Sequence, residues 1–114
     1  MIDFHGTDDA QVPYRGAKSW VAPRPFPNVQ TFASKWARRN RCAAGPVDSV
    51  VAADVTRRMY SGCANDASVV LYTVHGGGHT WPGRDPIVGF LGKSTRRISA
   101  NDLMWDFFKR HPLK

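Results

Sequence analysis

Two short stretches of this 114-residue chain carry groups able to move a proton. One is His5-Gly6-Thr7-Asp8-Asp9; the other is Gly76-Gly77-Gly78-His79-Thr80-Trp81-Pro82-Gly83. Each follows a short apolar run, so each sets an acid or an imidazole just past the end of a strand. In open α/β sheets that rim is where ligands bind. His79 sits behind three glycines, which permit positive φ angles and close backbone approach, so its ring can be held on a tight loop. Such a ring suits a proton shuttle; a loop histidine bonded only to backbone is the competing reading. A carboxylate bonded to one imidazole nitrogen fixes the tautomer and stabilises the imidazolium formed at the other. Asp9 can supply it, Asp8 competes for the role, and an ordinary Asx turn over Thr7-Asp8-Asp9 accounts for the same residues. His5 reads as a brace for this turn, and His111 as a helix-end residue.

His75 and His79 also stand in an H-x-x-x-H spacing. Metal sites of that pattern put both rings on one helix face, which the intervening glycines oppose. No metal and no cofactor are expected.

The elements that must position these loops are legible in outline. Met1 to Phe4 reads as the end of a strand broken by Gly6. Residues 15–27, with Gly16, Pro23, Pro25 and Pro27, read as an irregular loop. A helix is expected from Asn28, which can cap it, with Val29, Phe32, Ala33 and Trp36 recurring at helical spacing. Arg38, Arg39 and Arg41 then fall in or near its last turn, where cations suit the helix dipole. Val55 to Tyr60 is a strand candidate. Val69 to Val74 is a stronger one, an unbroken β-prone run that predicts burial on both faces, antiparallel to the former. Gly83 to Arg97 reads as a second loop. Ser99-Ala100-Asn101-Asp102 resembles a capping box opening a last helix. Its apolar stripe is Met104, Phe107 and Phe108, widened by Leu103 and Trp105, and His111-Pro112 stops it. The fold class is therefore α/β, in one domain at most.

Composition narrows the function classes. At 42% hydrophobic and 11% aromatic, the chain is built to fold. Its net charge of +7 raises nucleic acid as a partner. The cations, however, are spread in pairs (Arg38-Arg39, Arg57-Arg58, Arg96-Arg97) rather than gathered in one run, which fits a solvated surface. Nucleic-acid binding is not expected. No stretch reaches the length of a membrane span, and the N-terminus lacks the pattern of a signal peptide. Cys42 and Cys63 permit one disulfide or two buried thiols, and their spacing alone does not decide.

An aspartate followed by a histidine, each beyond a strand, matches the last two members of a Ser…Asp…His triad in α/β-hydrolase order. His5-Gly6-Thr7-Asp8-Asp9 with Val12-Pro13-Tyr14 resembles the H-G-T-x-D-x-x-V-P-Y acid loop of the polyhydroxybutyrate depolymerase and feruloyl esterase group, secreted serine esterases of the α/β-hydrolase fold. The segment from Gly76 to Gly83 is similar to the histidine loop of that group. Trp36 to Cys42 and Tyr60-Ser61-Gly62-Cys63 resemble the segments carrying its disulfide. Ile98 to Asn101, Trp105 to Phe108 and His111 to Leu113 resemble its terminal helix. The likeness runs in order through essentially all 114 residues.

The resemblance implies that residues 1–114 are the C-terminal segment of a single α/β-hydrolase esterase domain, the C-terminal portion of its sheet with flanking helices. It implies Asp9, not Asp8, as triad acid, His79 as base, and a Cys42–Cys63 disulfide formed in a secreted or periplasmic protein. The implied substrate is an ester, either a polyester or an esterified plant polysaccharide. Trp81 either lines the cleft for it or packs the loop.

One departure stands against a complete enzyme. The nucleophile of such enzymes lies in G-x-S-x-G, upstream of the acid, with the oxyanion hole beside it. This chain has no such motif; Gly92-Lys93-Ser94-Thr95-Arg96 lacks the second glycine and follows the histidine. The expectation is a chain silent by itself, with a bare apolar sheet edge beside Phe4 through which it self-associates. The rival readings are a non-catalytic remnant and a basic module that binds polyanions.

Overall fold

The computed structural model describes residues 1–113. In chain order its elements are β1 (Ile2–Gly6), α1 (Val29–Arg39), β2 (Ala44–Ala52), β3 (Val55–Ser61), β4 (Val69–Val74) and α2 (Ala100–Arg110). The four strands form one mixed sheet in the order β1-β4-β3-β2. β1 runs parallel to β4, whereas β3 is antiparallel to both β4 and β2. This is an α/β architecture. Among the described residues no helix is long and apolar enough to cross a membrane.

β4 is the spine, and all six of its residues are buried. Successive side chains of a strand point to opposite faces, so the run divides between two layers. Val69 and Leu71 pack with Val29, Ala33 and Ala37 of α1. Val70, Tyr72 and Val74 pack on the other face with Leu103 and Phe107 of α2. Leu71, Val55 and Val69 are the largest side chains wholly removed from solvent, and each such burial contributes about 1.5–3 kcal/mol.

Both helices begin where their caps predict. Asn28 Oδ1 accepts the Thr31 N–H at 3.1 Å, and Ser99 Oγ accepts the Asp102 N–H at 3.3 Å. The stripe of α2 differs from expectation. Leu103 and Phe107 face the sheet, while Trp105 and Phe108 are largely exposed. The Ala100 N–H is bonded to the Pro82 carbonyl, and Ala100 is wholly buried. That contact fixes the rotation of the first turn, so residues three and seven positions further on meet the sheet.

β2 was not expected at all. It contains Gly45-Pro46, joined by a cis peptide, and pairs with β3 through two register shifts. Proline is tolerated on edge strands, and most of β2 is exposed. Its sequence therefore carries no alternating pattern to read. At the end of the sheet where β3 finishes, Cys42 and Cys63 form a disulfide across 21 positions, tying the end of α1 to the β3–β4 connection.

β1 extends to Gly6, two residues beyond Phe4. Its outer side bears no strand among the described residues, so β1 is an edge of the sheet. The parallel register sets Gly6 opposite Val74. That one pairing brings the segment after β1 beside the segment after β4.

Candidate active site

The two loops beyond β1 and β4 are fastened by backbone. Thr7 N–H donates to the Val74 carbonyl at 3.0 Å, Asp8 N–H to the Gly77 carbonyl at 2.9 Å, and Gly76 N–H to Thr7 Oγ1 at 2.8 Å. Glycine is required at the contact. A Cβ on Gly6 would lie 2.1 Å from the Gly77 carbonyl oxygen, and one on Gly78 would lie 2.1 Å from that of Leu91. Further along, the Gly78 and His79 N–H groups donate to the carbonyls of Lys93 and Leu91, at 2.8 and 2.7 Å. The backbone leading into His79 is thus fastened to the segment around Leu91 and Lys93.

The turn after β1 is built around the Asp9 carboxylate. Its Oδ1 accepts the N–H groups of Gln11 and Val12 at 2.9 and 2.8 Å. Its Oδ2 lies 2.9 Å from His79 Nδ1. The Asx-turn reading and the acid–imidazole reading of Asp9 are therefore compatible, because each carboxylate oxygen serves one of them. The acid is 5% exposed and the imidazole 49% exposed. A carboxylate acceptor on Nδ1 selects the Nδ1–H tautomer and leaves Nε2 as a free acceptor. Asp8, by contrast, is exposed, and its carboxylate accepts from the neighbouring Thr7 hydroxyl at 3.5 Å rather than from His79.

A cleft of about 760 Å³ opens at this rim, with Phe4, Asp9, His79, Trp81, Ile87 and Leu91 in its walls. Trp81 both lines the cleft and packs: its Nε1–H donates to Asn101 Oδ1 at 2.8 Å, and its ring meets Phe4 edge-on at 5.6 Å. His75 is turned elsewhere, with Nε2 3.0 Å from Thr56 Oγ1. Among the described residues no three histidine, cysteine or acidic side chains gather closely enough to hold a metal ion. His111 is the residue that ends α2.

Two features of the site escaped sequence reasoning. The cleft wall at Ile87 and Leu91 belongs to a segment read only as loop. Asp3 is the other: it lines the cleft, and burial raises its carboxyl above the ordinary aspartate value, opposed by the nearby His5 ring and a backbone bond at Phe4. An acid between Ile2 and Phe4, inside an apolar strand, was the signal available for it.

Known proteins give a consistent comparison. The chain is similar to feruloyl esterase B of Piromyces equi, 32% identical over 82 residues that make up 69% of this chain and 15% of that protein. It is also similar to the protein named "Putative esterase NocK" of Nocardia uniformis subsp. tsuyamanensis, 31% identical over 126 aligned positions covering 94% of this chain and 36% of the relative. The similarity is thus to proteins with esterase names, and the chain spans little more than a third of the longer-covered relative. No protein-family model matches the chain.

Proposed function

We propose that residues 1–114 are the C-terminal segment of a single α/β-hydrolase esterase domain, of the secreted polyhydroxybutyrate depolymerase or feruloyl esterase type. Asp9 is its triad acid and His79 its base. The nucleophilic serine and oxyanion hole come from sequence upstream of this segment. The observation that carries the reading is the 2.9 Å contact between Asp9 Oδ2 and His79 Nδ1, with the acid buried and the imidazole open to a cleft. The two esterase-named relatives support the same class.

In that reaction His79 Nε2 takes the serine proton as the serine oxygen bonds to the ester carbonyl carbon. The bond to the alcohol oxygen then breaks, and His79 returns the proton to the departing alkoxide. Water repeats the sequence in reverse roles, releasing the acid and restoring the serine. Asp9 holds the tautomer and balances the imidazolium. Trp81 offers an aromatic wall to the acyl or alcohol portion of a polyester or an esterified polysaccharide. The disulfide fits an oxidising compartment, secreted or periplasmic.

The test is ester hydrolysis by the longer protein that contains this segment. His79→Ala is expected to cut kcat on the order of a million-fold, and Asp9→Asn about ten-thousand-fold. Turnover that survives His79→Ala would remove the reading. The 114-residue chain by itself is expected to be silent, because it carries no G-x-S-x-G motif to supply the nucleophile.

A further inference from the structure

His5 is another titratable side chain at this site, and the triad reading gives it no role. It faces the α1 side of β1, only 12% exposed, with its ring edge-on to Tyr14 at 5.9 Å between centroids. Its Nε2 lies 2.8 Å from the Val12 carbonyl oxygen. A carbonyl can only accept, so Nε2 must carry the proton. The same nitrogen lies 3.5 Å from Asp9 Oδ2, the oxygen bonded to His79 Nδ1. Val12 is consequently gripped at both ends of its backbone: its N–H by Asp9 Oδ1, its carbonyl by His5. The remaining nitrogen, Nδ1, faces Asp3 Oδ2 at 3.9 Å, beyond hydrogen-bond reach.

We propose that His5 is a positioning residue for the Asp9–His79 pair: its Nε2–H clamps Val12 and leans on Asp9 Oδ2, holding that carboxylate oxygen where it accepts from His79. The functional half of this statement rests on Asp9 and His79 being the catalytic acid and base. Four groups act on one carboxylate: the Gln11 and Val12 N–H groups on Oδ1, His79 on Oδ2, and the His5 proton beside Oδ2. Removing the last leaves Val12 held only through its N–H, and the turn free to rotate the carboxylate away from His79. A ring that merely filled space against Tyr14 could be replaced by phenylalanine without consequence.

Proton NMR of the 114-residue chain tests this through the hydrogen-bonded His79 Nδ1–H resonance, assigned by its loss in His79→Ala. His5→Phe keeps an aromatic ring and removes the donor; the resonance is expected to broaden or vanish while circular dichroism stays native. His5→Gln restores an N–H near the Nε2 position and is expected to recover it. A His79 resonance unchanged in His5→Phe overturns the proposal, as does equal loss in both folded variants. If His5→Phe does not fold, long-range 1H–15N spectra of the unaltered chain decide: the proposal requires the Nε2–H tautomer at His5, and an Nδ1–H tautomer overturns it.

In the longer protein, His5→Phe is expected to lower kcat about a hundredfold, the usual cost of roughly 1 Å of misplacement, with KM nearly unchanged. The two readings fail separately. Full activity in His79→Ala removes the triad and leaves the NMR linkage intact. An intact His79 resonance in His5→Phe removes only the role given to His5.

Discussion

The two ends of the sheet are held together by different means. At the end where β1 and β4 finish, two glycine-bearing loops are joined by backbone hydrogen bonds and by the Asp9–His79 contact. At the opposite end, where β3 finishes and β4 begins, a covalent Cys42–Cys63 bridge ties α1 to the β3–β4 connection. A covalent tie holds the chain but offers no titratable group. A hydrogen-bonded tie fixes backbone while leaving one imidazole edge open to a cleft. The difference separates a tie that only stabilises the fold from one that also presents a titratable group to a cleft.

Breaking the covalent end should be the largest blow to stability and the smallest to site geometry. Replacing both Cys42 and Cys63 with serine releases a closure of 21 positions. The expected cost is about 3 kcal/mol, or roughly 10–20 °C in Tm for a domain of this size. Thermal melts measure it. Below the lowered Tm the His79 Nδ1–H resonance should persist, and its disappearance would mean that the two ends are coupled.

Crowding the hydrogen-bonded end should do the reverse. In Gly78→Ala the new Cβ would meet the Leu91 oxygen at 2.1 Å and Gly92 Cα at 2.8 Å, both backbone atoms that cannot swing aside. Overpacking of this kind costs about 1–3 kcal/mol. The His79 resonance should shift or broaden even though Asp9 and His79 are both intact. A melt and a spectrum indistinguishable from the unaltered chain would show the close approach to be dispensable.

The smallest effect concerns Asp3, beside the same loops. Burial raises its folded-state pKa above the unfolded value, so the folded protein binds this proton more tightly than the unfolded chain. The resulting stability is complete below about pH 4 and is lost as pH rises through the folded pKa. Asp3→Asn removes the buried charge and should raise Tm at pH 7 by about 2–4 °C, a gain that shrinks toward about pH 4. Melts across that range that give a constant difference, or a loss at neutral pH, would contradict the sign.

Much of the frame was legible because its signals are local. The unbroken Val69–Val74 run, the Asn28 and Ser99 caps, and the glycines before His79 each report on hydrogen bonding or burial within a few residues. β2 was not legible, since an exposed edge strand carrying Gly45-Pro46 makes no periodic demand on its sequence. The working face of α2 was misjudged for a related reason. Several apolar stripes fit the same eleven residues, and the bond from Ala100 to the Pro82 carbonyl selects among them.

The site divides along the same line. Residue types and order alone nominated Asp9, with Asp8 as competitor, and His79 on its glycine loop. Which acid meets the imidazole was decided by the Gly6–Val74 register, which joins segments 68 positions apart and turns Asp9 inward while Asp8 faces solvent. The link from His5 through Val12 to Asp9 exists only in the folded turn. Sequence determines the groups a chain has to offer and the short-range turns that carry them. Distances across the sheet follow from strand register, which is fixed by the burial of whole faces and leaves no mark at any single position.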